Sequence, residues 1–371
     1  MTGVGNEAAT LLSWYRRSHR DLPWRRLRDP WAIWVSEVML QQTRVEHVVA
    51  YFERFLSRFP SVAALAGAPL DDALAAWSGL GYYRRLRLLH RAAKQVVENG
   101  GTIPVEEAAL RRLPGVGDYT AAAVASIAFG AVVPVLDGNV VRVMTRRLAC
   151  ADDPRRPAVR RRLRAAAGEL LDAEAAGDSN QALMELGATI CTPLAPRCHE
   201  CPLAGGCAAR EQGAPERYPR KTRRAAPRLV PLVVALVERD GRVLLFRRAE
   251  GEALLAGTWE LPWIEGDDGE PARGLAARYG GRFELGAELG CVRHAITTRR
   301  IVAAVRRSAF TAGDRVAEGR EAAWVDRAAV ATLPTSSLVR KALALGLGAG
   351  DVPALPHGAP RRVWPTTRRR G

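Results

Sequence analysis

Apolar residues recur at helical spacing through residues 1–208 of this 371-residue chain and at strand spacing through much of the remainder. The pattern predicts a helical region and then a mostly β one. Residues 31–42 read as a helix that is apolar nearly all round, through Trp31, Ile33, Trp34, Val35, Val38, Met39 and Leu40, with Glu37 as the interruption. An apolar stretch leads into Leu113-Pro114-Gly115-Val116-Gly117-Asp118-Tyr119-Thr120, and an Ala-rich helix over 120–129 comes next. The apolar run 132–136 ends at Asp137-Gly138-Asn139-Val140, where another helix should begin. Further on, 229–237 and 243–247 flank an Asp240-Gly241 turn, a hairpin signal, and strand-like runs recur near 259–264 and 301–310. Between the two regions, Pro215, Pro219 and Pro227 stand among Arg217, Arg220, Lys221, Arg223 and Arg224. The expected organisation is a helical domain over 1–208, a basic proline-containing linker over 209–228, a second domain over 229–346 and a flexible basic tail over 347–371.

Charge narrows the class. A formal net charge of +16 and a pI near 10.5 point to a polyanionic partner, first of all nucleic acid. No apolar run reaches transmembrane length. Of 55 basic residues only Lys94, Lys221 and Lys341 are lysines. Cys191, Cys198, Cys201 and Cys207 stand in a C-x6-C-x2-C-x5-C frame, and four thiolates in so short a segment can close around one metal centre, zinc or iron–sulfur. Disulfides are not expected, because a cysteine-poor chain without a signal peptide reads as intracellular. Cys150 and Cys291, among apolar neighbours, are expected to pack as small hydrophobes.

Two carboxyl groups carry the candidate chemistry. Glu37, on an apolar helix, loses hydration when charged, so its pKa should rise; the plain alternative is a salt bridge to one of the many arginines. Asp137 reads as a helix N-cap, a position expected to hold it ionised. One carboxyl kept as acid beside one kept as carboxylate is the pairing that cleaves glycosidic bonds. The turn around Gly115 and Gly117, with the helix N-terminus behind it, makes an anion site suited to a DNA phosphate, although αα-hairpins by themselves are common.

The segments SEVMLQQT (36–43), GLGYYRR (79–85), LPGVGDYTA (113–121), LDGNV (136–140) and the cysteine loop stand in the order and spacing of the MutY family of adenine DNA glycosylases, within the endonuclease III superfamily. The resemblance covers the helical region from Leu22-Pro23-Trp24 to Cys207. It implies a multi-domain protein: an all-α helix-hairpin-helix glycosylase (a six-helix barrel and a [4Fe–4S] module, hairpin near 107–129), plus an α+β Nudix-like domain. It implies Glu37 as the acid that protonates an extruded adenine and Asp137 as stabiliser of, or nucleophile toward, the sugar, assisted by Asn139 and Tyr119. Glu185, Arg20, Leu22, Trp24 and Arg25 would shape the adenine pocket. Gln42 and Tyr82 would fill the gap left in the duplex, and Leu113, Gly115, Val116 and Gly117 would form the phosphate-binding hairpin. Cys191, Cys198, Cys201 and Cys207 would hold the cluster. Arg142, Arg146 and Arg147 are expected to serve phosphates or a solvated helix face.

The implied substrate is double-stranded DNA carrying adenine opposite 8-oxoguanine or guanine. The protein would act as a monomer in the bacterial cytoplasm, at the nucleoid, with no membrane. Endonuclease III-type lyases use a lysine where this chain has Tyr119, which weighs against that relative. Thymine–guanine mismatch glycosylases, which can carry tyrosine there, are a second alternative, and a non-catalytic iron–sulfur DNA-binding protein a third. In the Nudix-like domain, residues 273–278 lack the carboxylates that hold magnesium, so no pyrophosphohydrolase activity is expected. The family reads 8-oxoguanine with a Phe-Ser-His loop. Here Ile296-Thr297-Thr298 stands in its place, and Thr297 and Thr298 become the candidate contacts.

Overall fold

A computed structural model describes residues 4–220, 226–249, 251–252, 255–266, 269–296, 298–316 and 321–346. The chain divides into two compact units: residues 1–226 with 250–258 and 331–334, and residues 227–249, 259–330 and 335–371. The expected tail over 347–371 and Thr297 lie outside the described residues.

The first unit is helical: α1 (Val4–Ser18), α2 (Pro30–Leu40), α3 (Val45–Arg58), α4 (Val62–Gly67), α5 (Leu70–Ala76), α6 (Arg84–Glu98), α7 (Glu107–Leu110), α8 (Asp118–Phe129), α9 (Gly138–Arg147), α10 (Pro157–Gly168), α11 (Ala176–Thr189) and α12 (Ala208–Glu211). The Asp29 carboxylate starts α2 by accepting from the amides of Trp31 (3.4 Å) and Ala32 (2.9 Å), with Pro30 preset for the first turn. Residues 31–39 are all buried, as an all-apolar helix requires. The helix stops at Leu40, short of the expected 42, because Gln42 takes a left-handed backbone with φ 59°. Gly130, at φ 72°, ends α8 in the same left-handed region.

Helix α11 lies close to both α8 and α9, and glycine permits each approach. A Cβ on Gly177 would stand 2.7 Å from the Ser126 carbonyl oxygen of α8. One on Gly187 would stand 2.6 Å from the Asn139 Cβ of α9. Part of the segment expected as a solvated linker is instead structured. Residues of α12 include the buried Ala209, a 3-10 turn spans Pro215–Arg217, and the Tyr218 carbonyl accepts from Arg146 Nε at 3.0 Å. The partner that pins this stretch is 72 residues away, so local composition could not reveal it.

Among the described residues, the second unit is a seven-stranded sheet with helices α13 (Pro271–Tyr279) and α14 (Ser337–Leu345). Its strands are β1 (Arg228–Arg239), β2 (Arg242–Arg247), β3 (Trp259–Glu260), β4 (Trp263–Glu265), β5 (Gly280–Ile296), β6 (Arg299–Val316) and β7 (Ala322–Asp326). The order is β3-β2-β1-β6-β5, with β4 paired to β1 and β7 to β2. Asp240 and Gly241, at φ 51° and 73°, make the expected hairpin between β1 and β2. Strand β1 runs parallel to β6, from Arg228 opposite Arg299 to Val237 opposite Ser308. The expected strand over 259–264 is two short strands with Pro262, which has no amide to donate, between them. Ala235, Val237, Leu244, Phe246, Leu275, Tyr279 and Phe283 form this unit's core. Cys291, expected to be packed, is exposed on β5, since alternation along the strand turns it outward; Cys150 is buried as expected.

Gly187→Ala should destabilise the protein by about 1–3 kcal/mol, because its methyl group meets Asn139 main-chain atoms that cannot yield without moving α9. A denaturant titration against the unsubstituted protein checks this, and an unchanged midpoint would contradict it.

Candidate active site

A cleft of about 820 Å³ opens in the helical unit. Arg20, Leu22, Trp24, Arg25, Glu37, Gln42, Gly115, Gly117, Tyr119, Asp137, Asn139 and Glu185 all line it. Residues scattered from Arg20 to Glu185 therefore meet around one space, which has room for a purine base and its sugar.

Glu37 enters from the middle of α2 and is 4% exposed. Burial pushes its pKa up to about 7, and the nearby charge of Asp137 adds to the rise. Tyr119, in the first turn of α8, donates its hydroxyl to Glu37 Oε2 at 2.5 Å and pulls the value back. No described group hydrogen-bonds Oε1, which leaves that oxygen for the acid proton. The alternative of a salt bridge is not realised: Arg25 acts on Glu37 only through its field.

Asp137 caps α9 as expected. Oδ1 accepts from the Val140 amide at 2.7 Å and Oδ2 from Asn139 Nδ2 at 2.9 Å. The cap expected to hold it ionised works against an opposing influence. Burial raises its pKa above the usual carboxylate value, against the downward pull of Val140, Asn139 and Arg142. The two carboxyls still differ in kind, because several donors favour the Asp137 anion while Glu37 has one.

Behind this cap stands an arrangement that sequence reading missed. Arg142 Nη2 donates to Asn139 Oδ1 (2.9 Å) and to the Gly187 carbonyl (2.7 Å), and its Nε donates to the Cys191 carbonyl (2.8 Å). Arg146 is 2% exposed and donates to the carbonyls of Thr192 (2.7 Å) and Pro193 (3.2 Å), with Nη1 3.3 Å from Cys191 Sγ. Arg147 pairs with Glu7 at 2.6 Å. The role expected for these three residues, on phosphates or a solvated helix face, is therefore corrected: Arg142 and Arg146 brace the loop after α11, and Arg147 holds Glu7 of α1.

Across the cleft, Glu185 is fully buried on α11. Burial alone would raise its pKa, but hydrogen bonds from Arg20 and Arg25, at 2.7–3.0 Å, hold it down to about 2. It is a fixed anion with its charge matched by two guanidinium groups. Leu22 and Trp24 are buried beside it, Trp24 edge-on to Phe52.

At the hairpin, Leu113 and Val116 are buried, so their side chains anchor the turn and only its main chain is available to a ligand. Gly115 and Gly117 are exposed. The opening amides of α8 have no acceptor within the helix. Gly115, at φ 79°, packs so closely on Leu88 that a Cβ would stand 2.7 Å from that residue's own. Gln42 and Tyr82 are exposed, Tyr82 by 42%, and both hold left-handed backbone, φ 59° and 50°. Tyr82 lies outside the cleft lining.

Cys191, Cys198, Cys201 and Cys207 are unpaired and half-buried in the loop after α11. Among the described residues no three His, Cys, Asp or Glu side chains are drawn together into a set ready to hold a metal ion. The four thiols nevertheless feel one another. Burial pushes the Cys201 pKa up to about 12, and the other three cysteines add to the rise. Four thiols carried by one short loop are a donor set whose chemistry fits a cationic centre.

In the second unit, α13 carries Arg273 and Arg278 where magnesium-binding carboxylates would be needed. Arg278 lies 3.9 Å from the Trp263 ring, and the nearby Glu260 accepts from Tyr279 (2.8 Å), Trp263 Nε1 (2.7 Å) and Arg248 (2.6 Å). Thr298 is exposed at the turn between β5 and β6, next to the exposed Arg299 and Arg300.

Residues 35–168 match the HhH-GPD superfamily of base excision DNA repair proteins, and residues 232–345 match the NUDIX domain. The adenine DNA glycosylase of Rattus norvegicus is 40% identical over 306 residues, covering 68% of this chain and 59% of that protein. The chain thus spans less than two thirds of that relative's length. The adenine DNA glycosylase of Mycobacterium tuberculosis is 45% identical over 207 residues, 55% of this chain and 68% of that protein. A solved thermostable thymine-DNA glycosylase aligns with a TM-score of 0.51 at 30% identity, covering 55% of this chain and 95% of its own. With this helical fold, this Nudix-like unit and these relatives, the chain belongs to the adenine DNA glycosylase family.

Proposed function

We propose that the protein is a monofunctional adenine DNA glycosylase of base excision repair, acting as a monomer on bacterial nucleoid DNA. It hydrolyses the N-glycosidic bond of adenine opposite 8-oxoguanine or guanine and leaves an abasic site. The observation that carries this reading is Glu37, a buried acid with a pKa of about 7 in the same cleft as Asp137.

An adenine in a duplex must leave the stack before any acid can reach it. In this reading the exposed Gln42 and Tyr82 fill the gap, and the amides around Gly115 and Gly117 take a backbone phosphate. Glu185, Arg20, Arg25, Leu22 and Trp24 wall the base. Glu37 gives its proton to N7, so the base departs neutral. The bond to C1′ breaks, and Asp137, oriented by Asn139, stabilises the positive sugar. Water then adds its hydroxyl to C1′, and the released proton restores Glu37. Tyr119 occupies the place of a lyase lysine, and Lys94 is exposed on α6, so no Schiff-base step is included.

Cys191, Cys198, Cys201 and Cys207 would hold a [4Fe–4S] cluster, which would pin the loop after α11 and bring one-electron redox chemistry with it. The second unit reads the base opposite adenine through Thr298, in the turn after β5, and its sequence neighbour Thr297. It has no pyrophosphohydrolase role, since α13 offers cations in place of metal ligands.

Glu37→Gln should abolish single-turnover excision while its Kd for a mismatched duplex stays within a few-fold. Near wild-type turnover would remove Glu37 from the acid role. The pH profile depends on the same group. Excision needs the protonated form, so the rate should fall as pH rises through about 7. Tyr119→Phe removes the hydrogen bond that lowers this pKa, so the falling limb should move to higher pH; a limb that stayed or moved down would contradict the assignment. The purified protein should absorb visible light, and Cys198→Ser should lose that absorbance along with iron; a zinc content with no visible band would replace the cluster by a zinc site.

A further inference from the structure

Arg85 stands in the first turn of α6, yet its guanidinium lies at the C-terminal end of α2. Nη1 donates to the carbonyls of Val38 and Met39, both at 2.8 Å, and to that of Gln41. Nη2 donates to Thr43 Oγ1 at 3.0 Å and to the Gly81 carbonyl at 3.4 Å. The guanidinium carbon sits 5.4 Å from the centre of the Tyr82 ring and 5.6 Å from that of Trp77. No carboxylate among the described residues pairs with it, and its Nε is buried without a partner. A half-buried cation without a counterion still costs hydration. What compensates here is the last turn of α2, where unpaired carbonyls gather negative charge.

These contacts join two segments that are otherwise separate in sequence. One is the exit of α2, residues 40–43, whose Gln42 is exposed at φ 59°; the other is the 79–83 turn, whose Tyr82 is exposed at φ 50°. Neither backbone shape is one these residues favour on their own. Glu37 lies on the same helix whose end the guanidinium grips. The planar fork of arginine can reach several carbonyls and a hydroxyl at once, which a lysine ammonium cannot.

We propose that Arg85 is a positioning residue that fixes Gln42 and Tyr82 to the end of the helix carrying Glu37, so that filling the gap in the duplex and presenting the acid occur in one rigid frame. The inference rests on the reading of the protein as a base-extruding glycosylase. It assigns Arg85 no contact with the adenine.

The test compares single-turnover excision of the same adenine in two full duplexes. In one the adenine stands opposite 8-oxoguanine. In the other it sits in a one-nucleotide bulge, where leaving the stack costs less. Arg85→Met should lose about 100-fold on the mispaired duplex, the scale of a small misplacement of reacting groups, and far less on the bulge. Arg85→Lys should stay close to Arg85→Met on the mispaired duplex, since charge without the fork does not restore the frame. Thr43→Val removes one acceptor without stranding the cation, and should show the same substrate dependence more weakly even where Arg85→Met fails to fold. The falling limb of the pH profile should remain at the wild-type position in every variant that folds. Equal losses on both duplexes, full rescue by lysine, or a shifted limb would each overturn the proposal. A wild-type protein that excises adenine from neither duplex would instead refute the glycosylase reading itself.

Discussion

A carboxyl group held out of water on a helix whose neighbours are apolar exerts a constraint on everything around it. Charged, Glu37 would lose hydration that nothing in α2 replaces, so the fold keeps the neutral acid up to a pH of about 7. That preference persists only while water stays away from the carboxyl's back and sides. The full burial of residues 31–39 and the Tyr119 hydroxyl on Oε2 meet this condition. The cleft side is what remains. A buried proton donor opening onto a single space is therefore a consequence of burying α2 on all its faces.

The second carboxyl solves the opposite problem with different means. Asp137 is half-buried, and burial also raises its pKa, but it sits where unpaired helix amides point. Asn139 holds its other oxygen, Arg142 holds Asn139, and the same guanidinium reaches the carbonyls of Gly187 and Cys191. Rotating Asp137 would break a chain of bonds that ends in the cysteine loop. Gly187 matters here because its missing side chain lets α11 approach Asn139 at all. When one proton leaves the pair, the count of donors favours its leaving from Asp137.

Much of this is legible in the sequence, and the part that is not has a consistent cause. Glu37 stands out because one acid in an all-apolar helix breaks a periodic pattern, and Asp137 because N-caps have a local signature. The Asp240-Gly241 hairpin is equally local. Arg142 and Arg146 read as solvated from sequence, because a charged residue on a helix looks exposed until its partners arrive from 45 positions further along the chain. The same holds for Tyr218 in the expected linker, and for Leu113 and Val116, whose motif marks the hairpin but not which way their side chains turn. The order of strands around β1 and β6 depends on parallel pairing between distant segments, such as Arg228 with Arg299, which alternation alone does not encode.

The net charge of +16 invites the view that the basic residues exist to meet DNA, and the structure divides them differently. Arg25 is engaged by Glu185, Arg85 by the end of α2, Arg142 by Asn139 and the loop after α11, and Arg146 by that loop and the Tyr218 carbonyl. Each spreads its N–H groups over two or more acceptors, carbonyls or a carboxylate among them, a task for which a planar guanidinium is well suited. The chain's preference for arginine over lysine thus has a structural role inside the helical unit before any polyanion is considered. The set left for the proposed duplex is smaller, exposed arginines such as Arg112 and Arg160, the last on the rim of the cleft itself. Counting all basic residues would overstate the proposed phosphate-binding surface, because the internal ones already have partners within the helical unit.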